Sequence, residues 1–370
     1  MRRALTTLFL VLALCSGGCW DARDLANVAI ATVASFDLPR EEEKTKPGDR
    51  VLVAVLQPVL SEGRKELVRV IKSSGRTVGD ARSDRANRSF RMVEINMVRT
   101  LLFGEALSGK GLSDTLDIVY RNPLISYHGE LAVVEGRAVD VLELKTTGPP
   151  NIGERVGSLL MEIPDSNFVP LATLADFHCD QFGFGRNPVV PLISRSDVAG
   201  VQIRGLAIFK KDRMVGKVDK EAMKYLTLLR GEQARGVITF PLPDREEGEG
   251  TLMCTGHRKV EVKMDGEKAE ISIEVKVTGD LVEVEEGFLN GSHEKINQVA
   301  EAAGEYIAAN CREMVSRLQE EFMVDALNTG AIARAGYGRK IEKLDWDRVF
   351  SQAGIKVSAR VKIRNYGAIR

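Results

Sequence analysis

The clearest hydrophobic pattern lies in the last third of the chain. Val260, Val262 and Met264 alternate with charged residues, Asp265-Gly266 follows, and Ile271, Ile273, Val275 and Val277 resume the alternation. A side-chain period of two on either side of an Asp-Gly dipeptide predicts an antiparallel hairpin with one buried face. Ile355, Val357, Ala359, Val361 and Ile363 alternate in the same way with Lys356, Ser358, Arg360 and Lys362, so a further strand ends the chain. Between the two, residues 292–322 change period. Ile296, Val299, Ala303, Ile307, Cys311, Met314, Leu318 and Phe322 recur every three or four positions, opposite Glu294, Lys295, Glu301, Glu305, Arg312, Arg317 and Glu320. That is an amphipathic helix with a core-facing stripe, and it makes Cys311 a packed residue.

The first two thirds read differently. Apolar runs at 51–60, 97–103, 130–135, 201–210 and 236–241 predict strands, and 67–71 extends a hairpin from the first. Residues 28–33 lead from a short helix near Asp24 into another strand, and 187–193 is extended. Helical stretches alternate with these strands. One begins after Thr77, which can cap it, with Val78 and Ala81 facing inward and Arg82, Asp84, Arg85 and Arg88 solvated. Others follow Gly104-Glu105, run from Ser113 over 114–120, and cover 138–144, most of 152–176 (interrupted by Pro164), 221–229 behind Asp219, and 325–335. Residues 39–50 and 244–250 read as surface loops, and Gly148-Pro149-Pro150 as a linker or loop. The expected fold class is α+β, a mixed α/β chain of several domains, with mixed and antiparallel sheets flanked by helices. The expected division is 1–18, 19–197 and 198–370, the last either whole or split into about 198–245 and about 250–370.

The amino terminus changes the picture. Arg2 and Arg3 precede an apolar run over 4–14, then Ser16, Gly17, Gly18 and Cys19. Basic, apolar and small segments in that order make a secretory signal, too short to cross a bilayer core of about 30 Å. A cysteine directly after small residues resembles the acceptor of bacterial lipoproteins. There the thiol is alkylated by diacylglycerol and the chain is cut just before it. Cleavage between Gly18 and Cys19 needs little bulk before the cut, which Gly17 and Gly18 provide. Cys15 is the rival acceptor, but Leu14 before it is bulky. The expected lipidation site is Cys19, and two acyl chains suffice for stable anchoring.

Charge and cysteine usage narrow the classes further. Lys+Arg and Asp+Glu number 52 each, so the 370-residue chain has zero formal net charge. That argues against nucleic acid as a partner, because polyanion binding rests on phosphate neutralisation. Cys179, Cys254 and Cys311 remain after Cys19, an odd and widely spaced set that is no disulfide framework. A Cys179–Cys254 bridge stays open. His128, His178, His257 and His293 are not at zinc-site spacing from one another or from paired cysteines, so no metal is expected. His178-Cys179-Asp180 places a base, a thiol and a carboxylate in a row, yet neighbours in sequence splay apart and adjacency makes no triad. Gly183-Phe184-Gly185 has neither a third glycine nor a helix start behind it, and Gly336-Tyr337-Gly338 reads as a helix end. The chain therefore offers no catalytic residues and no cofactor site, and a binding or assembly role is expected.

Four stretches together resemble the Ger(x)C (GerAC-type) lipoproteins, the C subunits of nutrient germinant receptors of bacterial endospores. They are Gly18-Cys19-Trp20-Asp21 with Asp24-Leu25 and Asp37; Gly75-Arg76-Thr77-Val78 with Met97 to Phe103, Gly104-Glu105 and 111–121; Gly205 to Lys211 with Met214-Val215-Gly216; and Asp325-Ala326-Leu327 with Gly338-Arg339, Trp346, Phe350 and the final strand ending Arg364 to Gly367. The resemblance implies a non-enzymatic subunit needed for spore germination. It would be lipid-anchored on the outer surface of the inner spore membrane and assembled with polytopic A and B subunits. The alternative from a different class is a solute-binding lipoprotein of a transport system, which would need a ligand cleft between two lobes.

Overall fold

The computed structural model describes residues 28–59, 67–88, 92–94, 97–123, 125–146, 150–162, 167–231, 234–243, 248–284 and 293–366. Cys19 and the signal segment lie outside them, as does Pro164, while Arg88 is described as the last residue of its helix without its side-chain exposure. In chain order the elements are β1 (Val28–Ile30), β2 (Val33–Asp37), β3 (Val51–Val59), β4 (Leu67–Gly75), α1 (Val78–Arg88), β5 (Met92–Glu94), β6 (Thr100–Gly104), α2 (Glu105–Lys110), α3 (Ser113–Arg121), β7 (Glu130–Val134), α4 (Ala138–Leu142), α5 (Ile152–Glu162), α6 (Leu174–Phe182), β8 (Val189–Ser196), β9 (Gly200–Lys210) and β10 (Arg213–Asp219). The chain continues with α7 (Lys220–Arg230), β11 (Ala234–Pro241), β12 (Glu249–Asp265), β13 (Lys268–Val284), α8 (His293–Arg317), α9 (Thr329–Tyr337), α10 (Trp346–Gln352) and β14 (Gly354–Asn365). The mixed α+β expectation holds.

Eight strands form one sheet in the order β10-β9-β8-β7-β6-β2-β3-β4. Its centre is parallel, from β2 through β6 and β7 to β8, and its flanks are antiparallel. Strands β2, β6 and β7 are buried throughout, with helices on both faces, so most of their positions are apolar, and the polar ones are Ser35, Asp37, Thr100 and Glu130. On one face Ala34, Phe36, Val53, Leu101 and Phe103 pack with residues of α1, α2, α3 and α6. On the other, Val33, Leu102, Ala132 and Val134 pack with α4, α5 and α7. That second layer runs without a break into the apolar side of a four-stranded sheet, β11-β12-β13-β14, and of α8. The expected boundary at 197/198 falls in the turn joining β8 to β9, two neighbouring strands of the same sheet.

Several expectations are corrected. Arg85 is not solvated but buried at 4% exposure, while Met97, placed in a buried strand, is exposed. Residues 152–176 are not one interrupted helix: α5 ends at Glu162 and 167–173 is non-helical up to α6. Ser113 does not cap α3 but is its first residue; Asp212 from the β9–β10 turn meets the amides instead, its carbonyl accepting from Leu112 N and its Oδ2 from Ser113 N, both at 3.0 Å. Residues 325–328 are a turn, and α9 begins only at Thr329. Cys179, Cys254 and Cys311 are all free thiols, so no Cys179–Cys254 bridge exists. Burial pushes the thiols of Cys254 and Cys311 up to about 12.

The hairpin reads as expected: β12 and β13 pair antiparallel across Asp265 and Lys268, and β14 adds to β13 in parallel. Helix α8 carries on into a π-helical turn, Leu318–Phe322, ended by Met323 in the left-handed region. Asp37 holds the start of α4, accepting from Ala138 N (2.9 Å) and Val139 N (2.8 Å). Any side chain at residue 104 would strike the Asp37 carboxylate, which is why glycine stands there.

Candidate polar junction between the two sheets

Where α6, α7, α9 and α10 converge, the molecule buries a set of polar groups with few precedents in its sequence pattern. Asp180 leaves the inner side of α6 and accepts from Arg230 Nη2 at 3.0 Å, Arg186 Nη1 at 3.2 Å and Asn328 Nδ2 at 3.3 Å. Arg230 is the last residue of α7, and its Nη1 donates to the carbonyl of Ala326 at 2.6 Å. An arginine fork can join a carboxylate on one side to a carbonyl on the other without leaving a charge exposed to apolar surroundings.

Asn187 ties the same elements through its backbone and side chain. Its N–H donates to Asn328 Oδ1 (3.1 Å), its Nδ2 to Asp347 Oδ1 (2.8 Å), and its Oδ1 accepts from Lys211 N (3.0 Å). Lys211 stands in the left-handed region at φ 58° and its Nζ donates to the Gly183 carbonyl at 2.7 Å. Burial holds the Lys211 ammonium below its usual range. Asp347, near the start of α10, also accepts from Asp325 N at 3.0 Å and pairs with Lys210 at 3.4 Å.

Asp325 organises the turn before α9. It accepts from Trp346 Nε1 (2.8 Å), Thr329 Oγ1 (2.9 Å), Gly330 N (2.9 Å) and Leu327 N (3.0 Å). Full burial pushes its carboxyl up to about 6, although these four hydrogen bonds pull the other way. Gly185 and Gly330 meet backbone to backbone beside the Trp346 indole, so a Cβ on either would overlap the other chain segment. Arg258 of β12 completes the clasp, its Nη1 donating to the carbonyls of Leu229 (2.6 Å) and Leu327 (2.7 Å).

A cleft of about 250 Å³ opens beside the junction, lined in part by Leu171, Cys179, Asp180, Arg186, Pro188 and Arg230. The consecutive His178, Cys179 and Asp180 do not converge. The His178 ring lies edge-on to Tyr120 at 4.5 Å and near Phe182 at 4.8 Å, Cys179 is exposed, and Asp180 is spent on the arginines. Gly183-Phe184-Gly185 is part of the clasp, and Gly338 ends α9 at φ 69°. Among the described residues no group of three or more His, Cys, Asp or Glu is placed to hold a metal ion, and no helix is long and apolar enough to cross a membrane. Sequence reasoning missed Asn187, Arg230, Asn328 and Asp347. One signal was available for Asp325: a lone carboxylate between Val324 and Ala326-Leu327 can be buried only if its oxygens are met.

The fold thus defines an α+β protein whose two larger sheets are locked together by a buried polar clasp, with β1 and β5 forming a small parallel pair besides. The family profile described as "Spore germination protein N-terminal domain" matches residues 21–195, and that described as "Spore germination B3/ GerAC like, C-terminal" matches residues 204–367. The chain belongs to this GerAC-like family of spore germination proteins. It is similar to the spore germination protein GerQC of Bacillus cereus, at 21% identity over 97% of this chain and 98% of the relative. It is also similar to the putative spore germination protein YfkR of Bacillus subtilis (strain 168), at 22% identity over 95% of this chain and 94% of that one. The crystal structure of the GerBC protein shares the fold, with a TM-score of 0.60 at 17% identity, covering 87% of this chain and 96% of that one.

Proposed function

We propose that this chain is the lipid-anchored C subunit of a nutrient germinant receptor. It is tethered through Cys19 after cleavage behind Gly18, held on the outer surface of the inner spore membrane, and works by assembly with polytopic A and B subunits. It carries no catalytic step. The observation that supports this reading most is the succession of two spore germination regions along nearly the whole chain. The buried junction adds support from chemistry. Its carboxylates and guanidinium groups are engaged with one another and with backbone carbonyls, an arrangement suited to holding two surfaces in fixed relation. We also propose 19–197 and 198–370 as evolutionary regions, joined through one sheet.

The test is membrane fractionation of the native chain and of Cys19→Ala. The native protein partitions with the membrane and carries the mass of a diacylated amino terminus; the variant is uncleaved or soluble. Membrane retention of the variant equal to the native chain would overturn the anchor. Calorimetry against a panel of amino acids and sugars addresses the solute-binding alternative, which tight binding by this chain alone would favour.

A further inference from the structure

Arg85 stands apart from every other buried charge described above. It lies on α1 at 4% exposure, its Nη1 has no hydrogen-bond partner among the described residues, and burial together with nearby Arg82 pushes its guanidinium down to about 10. The carboxylates of its own helix are turned elsewhere. Asp80 accepts from Arg76 N at 3.1 Å and Asp84 from Thr45 Oγ1 at 3.3 Å. A buried cation without a counter-charge is among the most unfavourable arrangements a fold can hold.

The guanidinium borders a pocket of about 50 Å³ between α1, α3 and the sheet, walled by Ala34, Phe36, Val55, Leu101, Ile118 and Ile125. Its other polar lining residues are Arg82 and Asn122, with no Asp or Glu among the described residues that line it. We propose that this pocket is a binding site for a short-chain aliphatic monocarboxylate, whose carboxylate pairs with Arg85 and whose alkyl end fills the apolar walls. The space suits roughly two to four carbons, since one water needs about 10–15 Å³ on the same scale. The lining also excludes a class. A free amino acid would bring an ammonium group between two arginines with no acid to receive it, so the site selects simple anions over zwitterions. An inorganic anion would satisfy Arg85 but leave the walls unfilled. Occupation would clamp α1 to α3 and the sheet beneath.

The test uses the purified full-length chain in detergent, with sodium butyrate as the probe. Controls at equal concentration are sodium chloride, sodium phosphate and 2-aminobutyrate, the zwitterion of the same length. Butyrate should raise the melting temperature saturably and shift the Arg85 guanidinium resonances; the three controls should not. Arg85→Met removes the charge but keeps the bulk. It should melt higher than the native chain without additive and bind butyrate roughly 10- to 100-fold more weakly, the loss expected for a hydrogen bond to a charged group. Val78→Phe keeps the guanidinium and narrows the pocket, and should abolish the response even if Arg85→Met fails to fold. Equal responses to butyrate and chloride, equal responses to butyrate and 2-aminobutyrate, no response to butyrate, or an undiminished response in either folded variant would overturn the proposal.

Discussion

In the eight-stranded sheet, β2, β6 and β7 are buried at every residue; in the four-stranded sheet, β11 is buried and exposed by turns from Ala234 to Pro241. The first sheet has helices on both faces, the second has its apolar side on the shared core and shows Val237 and the paired Met253 on its exposed side. The consequence concerns how register is held. In the second sheet a one-residue slip would carry its apolar face into water, so alternation alone fixes the pairing. In the centre of the first sheet both faces are apolar, alternation gives no such constraint, and contacts such as Asp37 on α4 and Asp212 on α3 tie strand ends to the covering helices.

The largest effect is expected where the two sheets are joined. Arg230→Ala leaves Asp180 buried without its main partner and the Ala326 carbonyl without a donor, and should destabilise by about 3–5 kcal/mol in urea unfolding. Two separated unfolding transitions in that variant would show that the sheets differ in intrinsic stability; one shifted transition would show that the core they share keeps them a unit.

Asp325 gives a pH test of the same region. Its carboxyl is raised from 3.8 to about 6 in the fold, so the native state binds its proton more tightly than the unfolded chain. Stability from this group is therefore present below about pH 4 and is lost as pH rises through about 6. Against Asp325→Asn, which stays neutral, the native chain should lose about 2 kcal/mol between pH 4 and pH 7. A difference independent of pH would mean that Asp325 titrates normally.

Gly185→Ala puts a methyl into the Gly330 backbone at a residue of φ 59°, and about 1–3 kcal/mol of destabilisation is expected by thermal melting. Met253→Gln, at 51% exposure on the open face of the second sheet, should change stability by less than about 0.5 kcal/mol. A loss as large as that of Gly185→Ala would mean that this face is covered.

How much of this was legible follows from the same contrast. The hairpin, α8 and β14 could be read because each has one wet face, and a wet face writes a period into the sequence. The strands of the first sheet could be recognised as buried but not ordered, since continuous apolar runs carry no neighbour information. The junction was unreadable for another reason. Asn187 and Asn328 are 141 residues apart, and nothing local to either announces the other. Arg85 was misread because a helical arginine between Asp84 and Ala86 fits a solvated face unless a neighbouring helix covers it, and α3 shares its pocket. The lipidation site at Cys19 rests on sequence chemistry alone.

Strand β14 is laid beside β13 only after α8, α9 and α10 have been made, with Gly354 opposite Glu270. Synthesis therefore has to pass α10 before the smaller sheet can acquire its outer rim. Until then β13 offers a bare row of amides and carbonyls along that side. A chain cut before Gly354 would keep the eight-stranded sheet yet expose a sticky margin, and would be expected to clump or be degraded rather than persist as a working fragment.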